Sequence, residues 1–196
     1  TLTATAFRTL AAENSAYDRR QLWRHALAAG MAAERCAYLA GKKISGCFEA
    51  GLLHDIGKVA FDMLYGAQFV QAANSAHEQG VPIRTIEART FGMDLGVGGV
   101  FVGEHCSVRW SVGAVFSLHH RPECATEDPA LCAVAAVANC LTYSCGFGES
   151  SNPIPPELPT HAAKYLELTE VHYAQLVQEL SGDEEKIDNI LGALEG

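Results

Sequence analysis

The sequence predicts an all-α protein, a single multi-helix bundle spanning residues 1–196. Three observations carry that expectation. Apolar residues recur at helical spacing, as at Val108, Val112, Val115 and Phe116. No alternating apolar–polar runs are joined by Asn-Gly or Asp-Gly turns, so the β signal is poor. Residues that end helices, Gly41, Gly80 and Arg121-Pro122, fall just past the periodic stretches.

The elements follow in order. Residues 5–15 fit a short helix, and 17–40 a long one with Asp18 near its start. On the long helix Leu22, His25, Ala29, Ala32, Ala33 and Cys36 share a stripe. Most of that stripe is small, so another helix can approach closely. A helix over 45–64 takes Ser45 as N-cap and carries His54-Asp55 in its middle. Further helices are expected over 67–80, over 82–91 with Pro82 in its first turn, over 95–104 capped by Asp94, and over 108–120. Residues 129–145 form a very apolar helix with one interior polar residue, Asn139. The Pro-rich stretch 146–160 reads as a connector. Helices over 161–180 and 183–194 close the chain, with Ser181-Gly-Asp-Glu184 as a capping box for the last.

Composition narrows the function classes. The 196 residues suffice for one good core, and 48% hydrophobic with 19% charged residues describes an ordinary globular chain. A net charge of −9 argues against a nucleic-acid polymer as ligand, because phosphate backbones need clustered Lys and Arg. It leaves room for a small phosphate held by Arg24, Lys58 or Arg121. With no basic-then-apolar leader and no long apolar run, the expectation is a cytoplasmic protein with no membrane partner. The seven Cys are odd in number, lack a C-x-x-C, and mostly sit among apolar neighbours. They read as reduced, buried small hydrophobes and not as a structural zinc site. Oligomeric state is left open.

The chemistry lies in polar residues that intrude into apolar helices: His25, His54, Asp55, Lys58, His119, His120 and Asn139. Facing helices of a bundle build core sites by each donating an inward group. A buried Asp55 needs a partner, since an unpaired carboxylate in an apolar interior is very costly. His54 and Lys58, four apart, share one face, while Asp55 lies about 100° round the helix from His54. Imidazoles with a carboxylate suit Mn, Fe, Ni or Zn better than an all-oxygen Mg cage. Such a metal could lower the pKa of its water for attack on a phosphate ester, with Lys58 steadying the phosphate. Each residue also has a plainer reading. His25 could be a satisfied core histidine, His119-His120 a cation at a helix end, and Asn139 a partner for a carbonyl one turn back. Gly96-Val-Gly-Gly99 lacks the Lys-Ser/Thr of a phosphate-binding loop and reads as close packing.

Four segments together carry a resemblance: Leu22-Trp-Arg-His-Ala26, Phe48-Glu-Ala-Gly-Leu-Leu-His-Asp-Ile-Gly-Lys58, Trp110 with Ser117-Leu-His-His-Arg-Pro122, and Ala135-Ala-Val-Ala-Asn139. Over residues 17–148 they resemble the HDOD family, a branch of the HD-domain metal-dependent phosphohydrolases related to the HD-GYP phosphodiesterases. The resemblance implies an all-helical bacterial signalling module. It matches His25, His54 and Asp55 to three metal ligands of the HD site, with Asn139 where the fourth, an Asp, would stand. His119 and His120 match the paired histidines of the HD-GYP branch. Leu95 stands where that branch has another histidine, and no Gly-Tyr-Pro follows. Asn offers a neutral carbonyl where Asp offers an anion, so the charge compensation of a divalent ion falls. Only residues 1–16 precede the motif-bearing region 17–148, so most of the N-terminal helical half usual in that family is expected to be missing.

Two function classes follow. In the first, a regulatory HDOD module with a degenerate HD site binds a nucleotide ligand or a signalling protein partner without turnover, with one weakly held Mn, Fe, Ni or Zn or with none. In the second, an active metal-dependent phosphohydrolase uses Asp55 and Lys58 in catalysis. In both, metal falls to His25, His54, Asp55 and Asn139, and ligand to His119, His120, Arg24 and Arg121. A third reading, a helical adaptor, gives the polar groups a packing role only.

Overall fold

The computed structural model describes residues 18–93, 96, 99, 110–147 and 151–195. Every described element is helical. The helices are α1 (Arg19–Leu39), α2 (Cys47–Leu53), α3 (Ile56–Tyr65), α4 (Ala67–Gln79), α5 (Ile83–Phe91), α6 (Trp110–Leu118), α7 (Pro129–Ser144), α8 (Thr160–Tyr165), α9 (Glu170–Ser181) and α10 (Glu184–Glu195). A short 3₁₀ turn, Pro122–Cys124, links α6 to α7. The helices expected over 5–15 and 95–104, and Leu95, lie outside the described residues.

α1 begins as its sequence demands. The Asp18 side chain caps it by accepting from the Gln21 amide at 3.1 Å. It is central, packing against α2, α7, α9 and α10. Ala28, Ala29, Ala32 and Ala33 of α1 and Ala133, Ala135, Ala136 and Ala138 of α7 are buried, so small side chains line both central helices. Gly51 of α2 is the tightest point. A Cβ there would lie 2.6 Å from the Ala29 carbonyl carbon and 2.8 Å from the Gly30 Cα. Arg24 and Arg35 of α1 reach the C-terminal helices, pairing with Asp188 and Glu184 and with Asp183. A second, smaller core joins α3, α4 and α5 through Phe61, Phe69, Ala72, Ala76, Ile83 and Ile86.

Three expectations are corrected. The helix expected over 45–64 is two helices, broken at His54-Asp55, and its N-cap is Gly46 in the left-handed region (φ 83°) instead of Ser45. Asp55 takes φ −103°, ψ 16°, and its carbonyl accepts from the Lys58 amide at 2.9 Å. Asp competes poorly for helix interiors because its side chain seeks other partners; here it turns to Lys58. The stretch 161–180 is likewise two helices, α8 and α9, separated by Glu167 at φ 56°. Ser181 is the last residue of α9 and so does not cap α10; the observed capping box is Thr169 with His172.

Candidate metal and ligand site

Four parts of the chain meet at one interior point. α1 brings His25, the α2–α3 break brings His54, Asp55 and Lys58, the end of α6 brings His119 and His120, and α7 brings Asn139 and Thr142. His25, His54, Asp55, Lys58, His119, Asn139 and Thr142 are all buried; His120 is exposed. The break in the helix is what lets His54, Asp55 and Lys58 converge, since on an unbroken helix adjacent residues point about 100° apart.

Asp55 is the hub. Its Oδ2 accepts from Lys58 Nζ at 2.7 Å and lies 3.3 Å from His54 Nε2 and 4.0 Å from His25 Nε2. Its Oδ1 lies 3.8 Å from His119 Nε2. The two groups able to hold a metal ion among the described residues, His25/His54/Asp55 and Asp55/His119/His120, share this carboxylate.

Hydrogen bonds on the far side of each ring decide which nitrogen faces the hub. His54 Nδ1 donates to the Gly51 carbonyl at 2.6 Å and His119 Nδ1 to the Val115 carbonyl at 2.8 Å. A carbonyl can only accept, so each Nδ1 carries the proton. The Thr142 hydroxyl donates to the Asn139 carbonyl at 2.7 Å and accepts from His25 Nδ1 at 3.2 Å. In the neutral rings all three Nε2 atoms therefore present lone pairs inward. His25 Nε2 and His54 Nε2 stand 3.3 Å apart. Lone pairs facing each other beside a carboxylate repel unless a cation or a proton lies among them. His119 Nε2 and Asn139 Oδ1 are buried with no hydrogen-bond partner among the described residues. The donor set thus fits a divalent transition metal on an observation of its own, the inward-facing lone pairs. The Lys58 ammonium supplies one positive charge at the same carboxylate.

The electrostatics agree. Burial alone would raise the Asp55 pKa, but the Lys58 ammonium outweighs it and holds the carboxyl well below its ordinary value. Burial, reinforced by His54, pushes His119 down to about 4, against the pull of Asp55. Both shifts have one sign for stability. Between about pH 6.5 and 4 the unfolded chain protonates residue 119 and the folded chain does not, so stability is full above that window and falls through it. The Asp55 contribution is lost at lower pH still. Metal-stripped protein is expected to lose roughly 3 kcal/mol from the His119 effect between neutral pH and pH 4. Urea melts across that range with a chelator check this; a flat stability profile contradicts it.

In front of the hub opens a cavity of about 840 Å³, within the range of small-molecule sites. Asp55, Lys58, His119, His120, Arg121 and Asn139 line it. His25 and His54 are sealed behind Asp55. Arg24 is not in the cavity: its Nε donates to Asp188 at 3.0 Å and its Nη2 to Glu184 at 2.6 Å, and it stacks on Phe147. Residue number placed it beside His25, but the helix turns it toward α10.

The rest of the cavity wall was not anticipated. It is built by Arg84 and Thr85 of α5 and by residues 152–160, taken above for a mere connector. The Ile83 amide donates to Asn152 Oδ1 at 3.3 Å, joining these two pieces. Arg84 did carry a signal, because an arginine in a helix's first turn opposes the macrodipole and calls for another reason. Thr142 was missed as well. It is a second buried polar residue in α7, where one was expected. The described cysteines are free: Cys36, Cys47, Cys132 and Cys140 are buried, with burial raising their thiol pKa values, whereas Cys145 is half-buried and Cys124, against expectation, is exposed. Among the described residues no helix is long and apolar enough to cross a membrane.

Comparison with known proteins places this geometry. The fold is similar to an HDOD domain protein of unknown function from Geobacter sulfurreducens, at TM-score 0.75 and 21% identity over 97% of this chain and 67% of that one. It is similar to a candidate signal transduction protein from Marinobacter aquaeolei VT8, at TM-score 0.77 and 16% identity over 95% of this chain. The chain spans only 41% of that protein's length. A candidate phosphohydrolase from Shewanella amazonensis SB2B follows at TM-score 0.60 and 15% identity, over 91% of this chain and 70% of that one. No curated protein matches. The HDOD domain family itself matches residues 1–122, more than half of the 196. The chain therefore belongs to the HDOD family.

Proposed function

We propose that this chain is a signal-transduction module that binds a nucleotide or related phosphate ligand over a degenerate HD centre and does not turn it over. The observation that carries the reading is the convergence of three inward Nε2 lone pairs on the Asp55 carboxylate at the floor of an open cavity. His25, His54 and Asp55 hold one divalent Mn, Fe, Ni or Zn, with His119 and Asn139 beside it. When bound, such an ion supplies Lewis acidity to an oxygen ligand. Lys58 shares Asp55 with the ion, and Asn139 adds no anion, so the ion is held weakly. The likeness to the Marinobacter protein supports a signalling role, with a signalling protein partner as receiver.

The second reading, a metal-dependent phosphohydrolase, has one observation in its favour: Asp55 and Lys58 themselves line the cavity, so a phosphate ester can reach them. Metal analysis of purified protein, with hydrolysis of a generic phosphodiester, separates the two. The module predicts a substoichiometric, dialysable metal that His54→Ala abolishes, and no hydrolysis. Stoichiometric metal with hydrolysis lost in His54→Ala establishes the enzyme. No metal under saturating Mn, Fe, Ni or Zn overturns the metal centre and leaves Lys58 as the only cation at Asp55.

A further inference from the structure

We infer that the part of the cavity lined by Arg84, near the start of α5, and by Arg121, just after α6, is a phosphate subsite in its own right. The inference rests on the cavity being a ligand site, as proposed above, but not on a metal being bound there.

Charge is the first support. Arg84, Arg121 and Lys58 all line the cavity, against two acids, Asp55 and Glu157. Asp55 is already matched by Lys58 at 2.7 Å. The cavity therefore carries a positive balance inside a chain of net charge −9. An acidic protein that gathers guanidinium groups in one hollow has a local anion to satisfy, because Arg presents a planar fork suited to phosphate oxygens.

The backbone adds to this. The first turn of α5, together with Pro82 before it, lines the cavity, and the N-cap residue Pro82 has no side chain able to cap it. A helix N-terminus carries about half a positive charge and free amides, which favour an anion. Two donors there are already taken, the Ile83 amide by Asn152 Oδ1 at 3.3 Å and the Thr85 amide by the Pro82 carbonyl at 2.9 Å, so these bonds shape the wall and leave the anion chiefly to the arginine side chains.

The buried polar atoms point to what else the ligand brings. Asn139 lines the same cavity, is only 4% exposed, and its Oδ1 has no hydrogen-bond partner among the described residues. A buried acceptor left without a donor is costly. A ligand whose phosphate rests on Arg84 and Arg121 and whose other end offers an N–H or O–H to Asn139 removes that cost. A nucleoside monophosphate has both groups, whereas inorganic phosphate serves only the arginine end.

Binding of inorganic phosphate and of AMP to the full chain should be measured by titration calorimetry, with a chelator and again with Mn²⁺. Both anions are expected to bind in chelator, and Arg84→Gln and Arg121→Gln should each weaken them roughly tenfold. Both arginines are exposed, so these variants should keep the parent's melting temperature, which verifies folding. AMP binding more tightly than phosphate, with the difference lost in Asn139→Leu, identifies the nucleotide as the source. Equal affinities support the phosphate subsite but overturn the role of Asn139. Anion binding seen only with Mn²⁺, or binding in chelator that neither arginine variant weakens, overturns the subsite. Absence of bound metal together with arginine-dependent phosphate binding would sink the metal reading and leave this inference standing.

Discussion

Gly51→Ala is expected to destabilise the protein by about 3 to 5 kcal/mol, enough to prevent folding in a domain of ordinary stability. In most helices the same change helps, by roughly 0.5 to 1 kcal/mol, because alanine is the better helix former. Here the new Cβ meets backbone: the Ala29 carbonyl and the Gly30 Cα, the latter at 2.8 Å. Side chains can rotate out of the way and a helix backbone cannot, so α1 and α2 must separate. Separation would also spoil the site, since the Gly51 carbonyl holds His54 Nδ1 at 2.6 Å and α1 carries His25. Gly192→Ala in α10 is the contrast, because a Cβ there meets nothing within 4 Å among the described residues. It should be neutral or slightly stabilising. Chemical denaturation of both variants checks the pair; a Gly51→Ala protein as stable as the parent refutes the close approach of the two helices.

Asp55→Asn should cost about 3 kcal/mol or more at neutral pH and abolish metal binding. The amide keeps the shape and loses the charge. Lys58, 3% exposed and 2.7 Å from the carboxylate, is then left without that counter-charge in the interior. Breaking a buried pair by removing one partner typically costs about 3–5 kcal/mol, while replacing both members costs far less. The double variant Asp55→Asn/Lys58→Met should therefore recover most of the loss, with a coupling above about 1 kcal/mol in the double-mutant cycle. A single Asp55→Asn variant that loses under about 1 kcal/mol would remove the carboxylate from its place as the hub.

The fold was legible because helical periodicity is strong and stop signals are local. Gly80 ends α4 in the left-handed region, and Asp18 caps α1 through a bond of its own side chain. The misreadings share a cause. The break at His54-Asp55 comes where Asp55 meets His25 and His119 from other helices, the break before Thr169 accompanies the burial of Leu166, and both leave the apolar pattern uninterrupted. The cluster was legible for the opposite reason: polar residues in apolar helices stand out without any knowledge of the fold. Arg24 shows the limit of that reasoning, since a charge next to a site residue in sequence can face the other side of its helix. The rest of the cavity wall was hidden because residues 152–160 have no periodicity, and only the folded chain brings them into one cavity with Arg84 and Lys58.

The anchoring of the three rings has a consequence for how an ion would be received. Each imidazole is pinned at Nδ1, by Gly51, Val115 or Thr142, before anything arrives. The entropy lost in ordering the ligands is thus spent during folding, not at capture. A pinned aperture also yields little, so ions whose size or preferred angles differ are discriminated by fit more than by intrinsic strength of bonding. Occupancy would then register chiefly as added resistance to unfolding, growing with the logarithm of ion concentration, and hardly at all as a change of shape.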